Sequence, residues 1–379
     1  MLAVAGGGLY WYLRPAYLPT LSPSYREYAY VSNGRGNSVS VIDLRTFRPA
    51  FTIAVGTNPT GLAINPVKNE VYVVNTGSSN VSVIDAQKNQ VVATIGVHGR
   101  PYFIDISADG KSGYVANSGS NNISILDLER RRVIATLQAG ITPGKARIAA
   151  DNKTLVVSNR GDNSVSLIDA VKSVTRSTLK VCQNPEDIAI LPDSSKAFIS
   201  CSGSSQVAAI DLKSEKVLAL LDVGRTPVSL ALKPDGGELM VCNFDSDNIS
   251  IIETGNNEVG SSALIGTQPS QGIVAADNSR LYVSNFGSDS IAVYDIDNGK
   301  VIATVPVGKH PDAIALTPNQ NYLLVVDAGS GDVTVVEKRK PKKFEPSEYR
   351  LLTMIPVGLQ PNAIVIKNFL LPKEEPRRH

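Results

Sequence analysis

Short runs of alternating apolar and polar residues, each closed by a turn, repeat along almost the whole chain. One copy reads from Pro59: PTGLAINP, EVYVVNTGSSN, VSVIDAQKNQ and VVATIGVHGR. The runs are rich in β-branched residues, and Gly, Asn, Asp, Ser or Pro ends each of them, which is typical of a strand followed by a tight turn. Each copy therefore predicts four antiparallel strands, and no helical period is visible within the repeats.

The length of the repeat is constant. The third run of each copy ends in a carboxylate, and successive carboxylates stand 42 residues apart at Asp43, Asp85, Asp127, Asp169, Asp211, Glu253, Asp295 and Glu337. Prolines keep the same spacing at Pro59, Pro101, Pro143, Pro185, Pro227, Pro269 and Pro311, whereas Pro361 departs from it by eight residues. Such a period indicates one supersecondary unit copied head to tail.

The repeat predicts an all-β fold. A single four-stranded sheet cannot bury both of its faces, so the copies must stack, and stacking around an axis gives a β-propeller. Counting the third runs predicts an eight-bladed ring; a seven-bladed ring is the alternative and would leave one copy without a place.

The two ends of the repeat region complement each other. The first copy begins at its second strand, 28–33, and the last copy is followed by a lone first strand, 363–367. We expect the C-terminal strand to join the N-terminal blade, which leaves no free sheet edge at the seam. The chain then divides into an apolar and aromatic arm (1–27), a propeller (28–368) and a charged tail (369–379).

Several segments carry a family resemblance. YVSN at 30–33 and 282–285, YVVN at 72–75 and YVAN at 114–117, together with the PxxIA and VSVID segments, resemble the YVTN family of β-propeller repeat proteins over roughly residues 28–368. FISC at 198–201, MVCN at 240–243 and LVVD at 324–327 depart from the pattern. The resemblance implies an exported or cell-surface protein, and related propellers serve as adhesion modules or as subunits of periplasmic redox complexes. A shared fold does not establish a chemistry.

Residues that recur in every copy are interpreted as scaffold. The recurring Asp begins a hairpin turn, where its carboxylate accepts hydrogen bonds from backbone N–H groups. A second series precedes Gly- and Ser-rich turns and is expected to adopt left-handed geometry or to line a shallow polar surface. It comprises Asn33, Asn75, Asn117, Asn159, Asn243 and Asn285.

Composition and motifs exclude several functions. The net charge of +2 argues against a nucleic-acid binder. Three cysteines without CxxC spacing argue against covalent haem and cysteine-rich zinc sites, and the three histidines are too dispersed to share a metal. No HExxH, GxSxG, P-loop or Rossmann signature is present, so we expect no enzyme activity, no cofactor and no metal.

The informative positions are those that break the repeat. An alanine of the first strand becomes Asp105 in one copy and Arg147 in the next, which predicts an ion pair near the axis. The alternative is a ligand contact at the axial mouth with Lys145, Glu186 and Asp187 nearby. Cys182 replaces a recurring Gly and Cys201 replaces a recurring Asn on one face, so a disulfide is conceivable in an exported protein.

The largest break is a basic insertion between the third and fourth strands of the last copy. It reads EKRKPKKFEPSEYRLLTMIPV, and its candidate docking residues are Lys338, Arg339, Lys340, Lys342, Lys343, Phe344 and Tyr349. The antiparallel strand order puts this insertion, the N-terminal arm and the C-terminal tail on one face.

The arm has a 12-residue apolar stretch, 2–13, which is too short to span a bilayer. Its candidate docking residues are Tyr10, Trp11, Tyr12 and Arg14. A remnant of a signal or anchor, an interfacial segment and an arm that covers the propeller itself are alternatives.

Together these features predict a non-catalytic extracytoplasmic scaffold. We expect it to be periplasmic or at the cell surface, membrane-associated, and docked on a protein partner such as a membrane-bound electron-transfer complex. The alternative is a ligand-binding, lactonase-like or quinoprotein-like propeller that uses the axial mouth around Asp105 and Arg147.

Overall fold

The computed structural model describes Ser22 and residues 24–339 and 348–371. Within these residues the chain is almost entirely β-structure, with short 3-10 helices at Arg160–Asp162 and Phe244–Ser246. The strands are, in chain order, β1 (Tyr25–Asn33), β2 (Ser38–Asp43), β3 (Arg48–Ala54), β4 (Pro59–Ile64), β5 (Glu70–Asn75), β6 (Asn80–Asp85), β7 (Gln90–Gly96), β8 (Pro101–Ile106), β9 (Ser112–Asn117), β10 (Asn122–Asp127), β11 (Arg132–Gln138), β12 (Pro143–Ile148), β13 (Thr154–Asn159), β14 (Ser164–Asp169), β15 (Val174–Lys180), β16 (Pro185–Ile190), β17 (Lys196–Cys201), β18 (Gln206–Asp211), β19 (Lys216–Asp222), β20 (Pro227–Leu232), β21 (Glu238–Asn243), β22 (Asn248–Glu253), β23 (Glu258–Leu264), β24 (Pro269–Val274), β25 (Arg280–Asn285), β26 (Ser290–Asp295), β27 (Lys300–Pro306), β28 (Pro311–Leu316), β29 (Tyr322–Asp327), β30 (Asp332–Lys338), β31 (Tyr349–Pro356) and β32 (Pro361–Leu370).

These strands form eight four-stranded sheets, here called blades 1 to 8. Blade 1 has the order β3-β2-β1-β32, blade 2 holds β4 to β7, and each later blade takes the next four strands. The eight-bladed ring and its closure by the C-terminal strand are thus confirmed, and the seven-bladed alternative is wrong.

Apolar residues on both faces of each sheet explain why the blades form a ring. Eight hydrophobic clusters are present, and each lies between two neighbouring blades. The cluster between blades 8 and 1, for example, joins Leu324 and Val335 to Val31 and Ile42. Because every blade is covered on both sides, its second and third strands are buried along most of their length, as β5 and β14 are, whereas its outer fourth strand is largely exposed, as β3 and β23 are.

The seam is longer than the sequence pattern predicts. β1 begins at Tyr25 and β32 continues to Leu370, so antiparallel pairing extends from Asn33 and Pro361 to Tyr25 and Leu370. The N–H of Leu371 then donates to the carbonyl of Ser24 at 2.8 Å. β1 is therefore paired on both of its edges, with β2 and with β32, and β32 takes the innermost position in blade 1 that a first strand takes in the other blades.

The two faces of the ring differ in what they carry. On the terminal face lie the start of β1, the end of β32 and the turns that join the first to the second and the third to the fourth strand of a blade. On the connection face lie the loops that join one blade to the next and the turns between second and third strands. The first strand of each blade lies nearest the axis.

Candidate functional site

The recurring asparagines are part of the core rather than of a polar surface. All six are fully buried. In Asn117, Nδ2 donates to Oδ1 of Asn122 at 2.8 Å and to Oγ of Ser124 at 2.9 Å, which fastens the hairpin from inside.

The expected left-handed geometry of these asparagines is wrong. The φ angles of Asn159 and Asn243 are −113° and −102°, which is extended backbone. The positive φ falls four residues later, as at Asn163 with 55°. The asparagine is needed because its side-chain amide forms hydrogen bonds across the hairpin. The residue four positions later adopts the left-handed backbone conformation of the turn.

The recurring aspartates have the structural role that the sequence indicates. Oδ1 of Asp127 accepts from the N–H groups of Glu129 at 3.0 Å and Arg130 at 2.8 Å. Hydrogen bonds from the N–H groups and the side chain of Arg130 lower the pKa of Asp127. The turn thus keeps its carboxylate ionised.

Blade 5 replaces the asparagine with a cysteine. Cys201 and Cys182 form a disulfide with a Cα–Cα distance of 5.6 Å. In all but one of the other blades the position of Cys182 holds glycine, the exception being His98, and a Cβ at Gly140 would lie 2.7 Å from Asn159. The disulfide therefore occupies the contact that glycine and asparagine make elsewhere. Cys242 is a free, fully buried cysteine, and burial raises the pKa of its thiol to about 12.

Blade 8 replaces the asparagine with an aspartate. Oδ2 of the fully buried Asp327 accepts from the hydroxyl of Thr334 at 2.6 Å, whereas its Oδ1 has no hydrogen bond within the described residues. Burial and the neighbouring carboxylate of Asp332 raise the pKa of Asp327 to about 8, although the Thr334 hydrogen bond opposes that shift. Burial thereby favours the protonated form of Asp327.

Charged side chains meet along the axis at blades 3 to 5. Nη1 of Arg147 lies 3.5 Å from Oδ1 of Asp105, and its guanidinium lies 4.6 Å from the ring centroid of Phe103. Oδ2 of Asp105 also accepts from the N–H of Ile148 at 3.0 Å. The two sequence-derived axial candidates are thus brought into contact, and each also has a second partner.

A second ion pair lies beside the first. Nζ of Lys145 is 2.7 Å from Oδ1 of Asp187, whose Oδ2 accepts from the N–H of Leu230 in the next blade at 3.1 Å. Burial alone would raise the pKa of the Asp187 carboxyl, but the charges of Lys145 and Arg147 outweigh it and hold this pKa below its usual value. These four charges, here called the axial charge cluster, neutralise one another and tie adjacent blades together.

A third ion pair lies at the connection-face end of the axis. Nη2 of Arg160 is 2.6 Å from Oε2 of Glu186, and the guanidinium lies 4.7 Å from the ring centroid of Tyr102. Gly144 makes this possible, because a Cβ there would come within 2.8 Å of Nε of Arg160. A cation from blade 4 is thus held between an aromatic ring of blade 3 and a carboxylate of blade 5.

The same rim at blades 6 to 8 carries aromatic rings that sequence reasoning missed. Phe286 stacks on the imidazole of His310, with ring centroids 4.6 Å apart and an interplanar angle of 11°. Phe244 lies 6.0 Å from Phe286. The signal was present in the repeat, since the residue after the recurring asparagine is Phe only in these two copies. His98 is far around the ring, near Thr136 at 3.1 Å.

Part of the basic insertion lies within the described residues. Lys338 and Arg339 are half-buried at the end of the hairpin, where Nζ of Lys338 lies 3.8 Å from Oε1 of Glu348. Tyr349 was expected to face a partner, but its side chain is 4% exposed and packs edge-on against Tyr282, because it fills the core between blades 7 and 8.

The other docking candidates lie outside the described residues. They are Tyr10, Trp11, Tyr12, Arg14, Lys340, Lys342, Lys343 and Phe344. Within residues 24–339 and 348–371 no cluster of three His, Cys, Asp or Glu side chains could hold a metal ion. A search of the described part of the chain also found no helix that is long and apolar enough to cross a membrane.

Comparisons with known proteins agree on the propeller. A family model described as Lactonase, 7-bladed beta-propeller, matches residues 257–346. No curated protein matches the chain.

Several solved structures are similar to this chain in fold. The Kuenenia stuttgartiensis hydrazine synthase is 24% identical with a TM-score of 0.59, covering 70% of this chain and 91% of that one. A functionally unknown protein from Desulfotomaculum acetoxidans is 15% identical with a TM-score of 0.62, covering 79% of this chain and 99% of the other. The dihydro-heme d1 dehydrogenase NirN, in complex with DHE, is 16% identical with a TM-score of 0.74, and the match covers 93% of this chain and 77% of that one. The chain is thus a β-propeller similar in fold to these proteins.

Proposed function

We propose that this chain is a non-catalytic, extracytoplasmic scaffold subunit that docks through its terminal face on a membrane or on a membrane-bound protein complex. The observation that carries the proposal is the convergence of exceptional segments on one face. The arm enters at β1, the tail leaves at β32, and the basic insertion leaves from the end of β30, all on the terminal face.

The three segments also lie at neighbouring blades. β1 and β32 belong to blade 1 and the insertion belongs to blade 8. Phe47 in the β2–β3 turn packs on Tyr322 at the start of β29, with ring centroids 4.7 Å apart, so the two blades adjoin on this face. A partner that meets the arm is therefore within reach of the insertion, and its basic side chains favour an acidic protein or anionic headgroups.

Two further findings support this assignment. A disulfide between Cys182 and Cys201 suits an oxidising compartment outside the cytoplasm. The hydrazine synthase of Kuenenia stuttgartiensis is a similar propeller-containing structure. An electron-transfer complex is the partner class we favour.

Purification from the source membrane tests the proposal. The full chain should co-purify with a membrane complex, and replacing Lys338, Lys340, Lys342 and Lys343 with Glu should lower its recovery at least about tenfold at low salt. The control replaces Arg132 and Lys213 with Glu, since both are exposed on the terminal face of other blades, Arg132 at the start of β11 and Lys213 in the turn between β18 and β19. A full chain that stays soluble and alone with its arm intact would overturn the proposal.

A ligand-binding propeller built on Asp105 and Arg147 is the second candidate, and the match to the lactonase family model favours it. The ion pairs within the axial charge cluster weaken this second candidate, because Asp105 and Arg147 already neutralise each other. Arg147→Ala should abolish affinity for any ligand bound there, and unchanged affinity would rule out this site.

A further inference from the structure

We propose that Asn298 is a site of spontaneous covalent modification, at which the backbone nitrogen of Gly299 displaces the side-chain amide and water completes the conversion to aspartate or isoaspartate. The chain contains the Asn-Gly pair twice, at Asn33–Gly34 and at Asn298–Gly299. The structure places the two pairs in opposite environments. The site is a property of one turn and does not depend on the proposed docking function.

The reaction needs an asparagine that is followed by a backbone nitrogen able to approach its side-chain carbon. Glycine has no Cβ, so it hinders that approach least and its backbone rotates most freely. The nitrogen of Gly299 loses its proton to hydroxide and bonds to Cγ of Asn298. The bond from Cγ to Nδ2 breaks, and Nδ2 takes a proton from water and leaves as ammonia. Water then opens the cyclic imide at either carbonyl, so the reaction consumes water, releases ammonia and needs no oxidant or reductant.

Asn298 and Gly299 lie together in the exposed turn between β26 and β27. The φ of Gly299 is 64°, which is the left-handed region that glycine adopts without strain. A Cβ placed on Gly299 would meet only the hydroxyl of Tyr294, at 3.7 Å. The turn is therefore open around the nitrogen that has to attack.

The attacking nitrogen is also less restrained than its counterparts in two other blades. In blade 1 the N–H of Phe47 donates to the carbonyl of Asp43 at 2.7 Å. In blade 6 the N–H of Asn257 donates to the carbonyl of Glu253 at 3.0 Å. Within the described residues the N–H of Gly299 makes no such hydrogen bond. No backbone hydrogen bond of this kind therefore has to break before the nitrogen turns toward the preceding side chain.

The side chain of Asn298 is held by Asp295. Its Nδ2 donates to Oδ2 of Asp295 at 3.0 Å, and its backbone N–H donates to Oδ1 at 3.0 Å. These hydrogen bonds belong to an exposed turn, which opens locally at a small cost in free energy, so they slow the reaction without preventing it. After the conversion a carboxylate replaces the donor and faces the carboxylate of Asp295. The terminal face at blade 7 then loses a hydrogen bond and gains a negative charge.

The other Asn-Gly pair is protected by the core. The side chain of Asn33 is fully buried. Its Nδ2 donates to the hydroxyls of Ser38 at 3.1 Å and Ser40 at 2.9 Å, and its Oδ1 accepts from the N–H of Gly358 at 3.0 Å. A Cβ at Gly34 would come within 2.8 Å of a neighbouring side chain. Both polar atoms of this amide are thus occupied, and its reaction requires the hairpin to open from inside.

Incubation of the folded full chain at mildly alkaline pH, followed by peptide mass spectrometry, tests the site. The peptide that contains Asn298 should acquire aspartate and isoaspartate at least about tenfold faster than the peptide that contains Asn33. In denaturant the two peptides should convert at similar rates, because the fold no longer separates their environments. The rate at Asn298 should rise with pH, since hydroxide removes the proton from the attacking nitrogen.

Gly299→Asn is the matched variant, because Asn257 holds the equivalent position of blade 6 with a φ of 58°. Asparagine tolerates this backbone conformation, whereas its side chain hinders the attack, so conversion at Asn298 should slow by at least about tenfold. Equal rates at Asn298 and Asn33 in the folded protein would overturn the proposal. So would the absence of conversion at Asn298 in a folded sample whose denatured counterpart converts, or a rate that Gly299→Asn leaves unchanged.

Discussion

The hairpins of blades 5 and 8 depart from the other six at one position, and in different ways. Blade 5 exchanges the buried asparagine for Cys201 and the glycine for Cys182, so two changes compensate each other in one disulfide, and the serine seven residues later is Ala208, as it is Ala292 in blade 7. Blade 8 exchanges the asparagine for Asp327 and places Asp332 opposite it, so a buried acid meets another acid. The position of the recurring asparagine thus accepts a disulfide without a change in strand pairing, and it accepts a buried acid whose pKa is raised.

Breaking the disulfide should have the largest effect. Cys201→Ser removes a cross-link between residues 19 apart and leaves a hydroxyl in the core, so the free energy of unfolding should fall by about 3 kcal/mol. Urea unfolding measures it. The variant Cys182→Gly/Cys201→Asn/Ala208→Ser rebuilds the arrangement of the other blades and should recover more than half of the loss. Equal stability of the wild type with and without reductant would contradict the prediction.

Converting blade 8 to the common pattern should stabilise the protein in a pH-dependent way. The folded pKa of Asp327, about 8, exceeds its ordinary value, so its contribution to stability is complete below pH 4 and is lost as pH rises toward 8. Asp327→Asn should therefore add about 2 kcal/mol at pH 8 and nothing at pH 4. Unfolding midpoints across this range test it. A gain that is independent of pH would argue against a protonated Asp327.

Removing an ordinary asparagine supplies the reference for both blades. Asn117→Ala deletes hydrogen bonds of 2.8 and 2.9 Å in a fully buried hairpin and leaves Asn122 and Ser124 without their donor. A loss of about 1.5 kcal/mol is expected in the same unfolding assay. The exposed substitution Asn256→Ala serves as the control. If Asn117→Ala had no effect, the hairpin amide could not explain why blades 5 and 8 are exceptional.

The smallest effect should come from the loop that precedes each blade. Thr142 has a φ of 53°, which a β-branched residue adopts at a cost, whereas Asn58 holds 52° at the equivalent position. Thr142→Asn should stabilise by about 0.5 kcal/mol, and the reciprocal Asn58→Thr should destabilise by a similar amount. Thermal unfolding of both variants measures it, and changes of the same sign would refute the reasoning.

Periodicity in the sequence predicted the blade number, the ring closure and the turn aspartates, because each depends on local spacing that the repeat displays directly. Sequence reasoning mistook the asparagine for a turn residue, because its partners lie across the hairpin rather than beside it. It also placed Tyr349 on the surface, since a basic insertion surrounds it. The stacking of Phe286 on His310 was missed because the two residues become neighbours only where one blade meets the next.

The seam has a consequence for how the protein is made. Tyr25 and Asn368 form a hydrogen bond across 343 residues, so the edge of β1 that faces the axis stays unpaired until almost the entire chain has been synthesised, although its other edge can pair with β2 at once. Such distant pairing makes folding slow and leaves β1 open to wrong partners in the meantime. The first blade must therefore be protected from wrong pairing for longer than any other blade, because β32 completes it only when the ring closes.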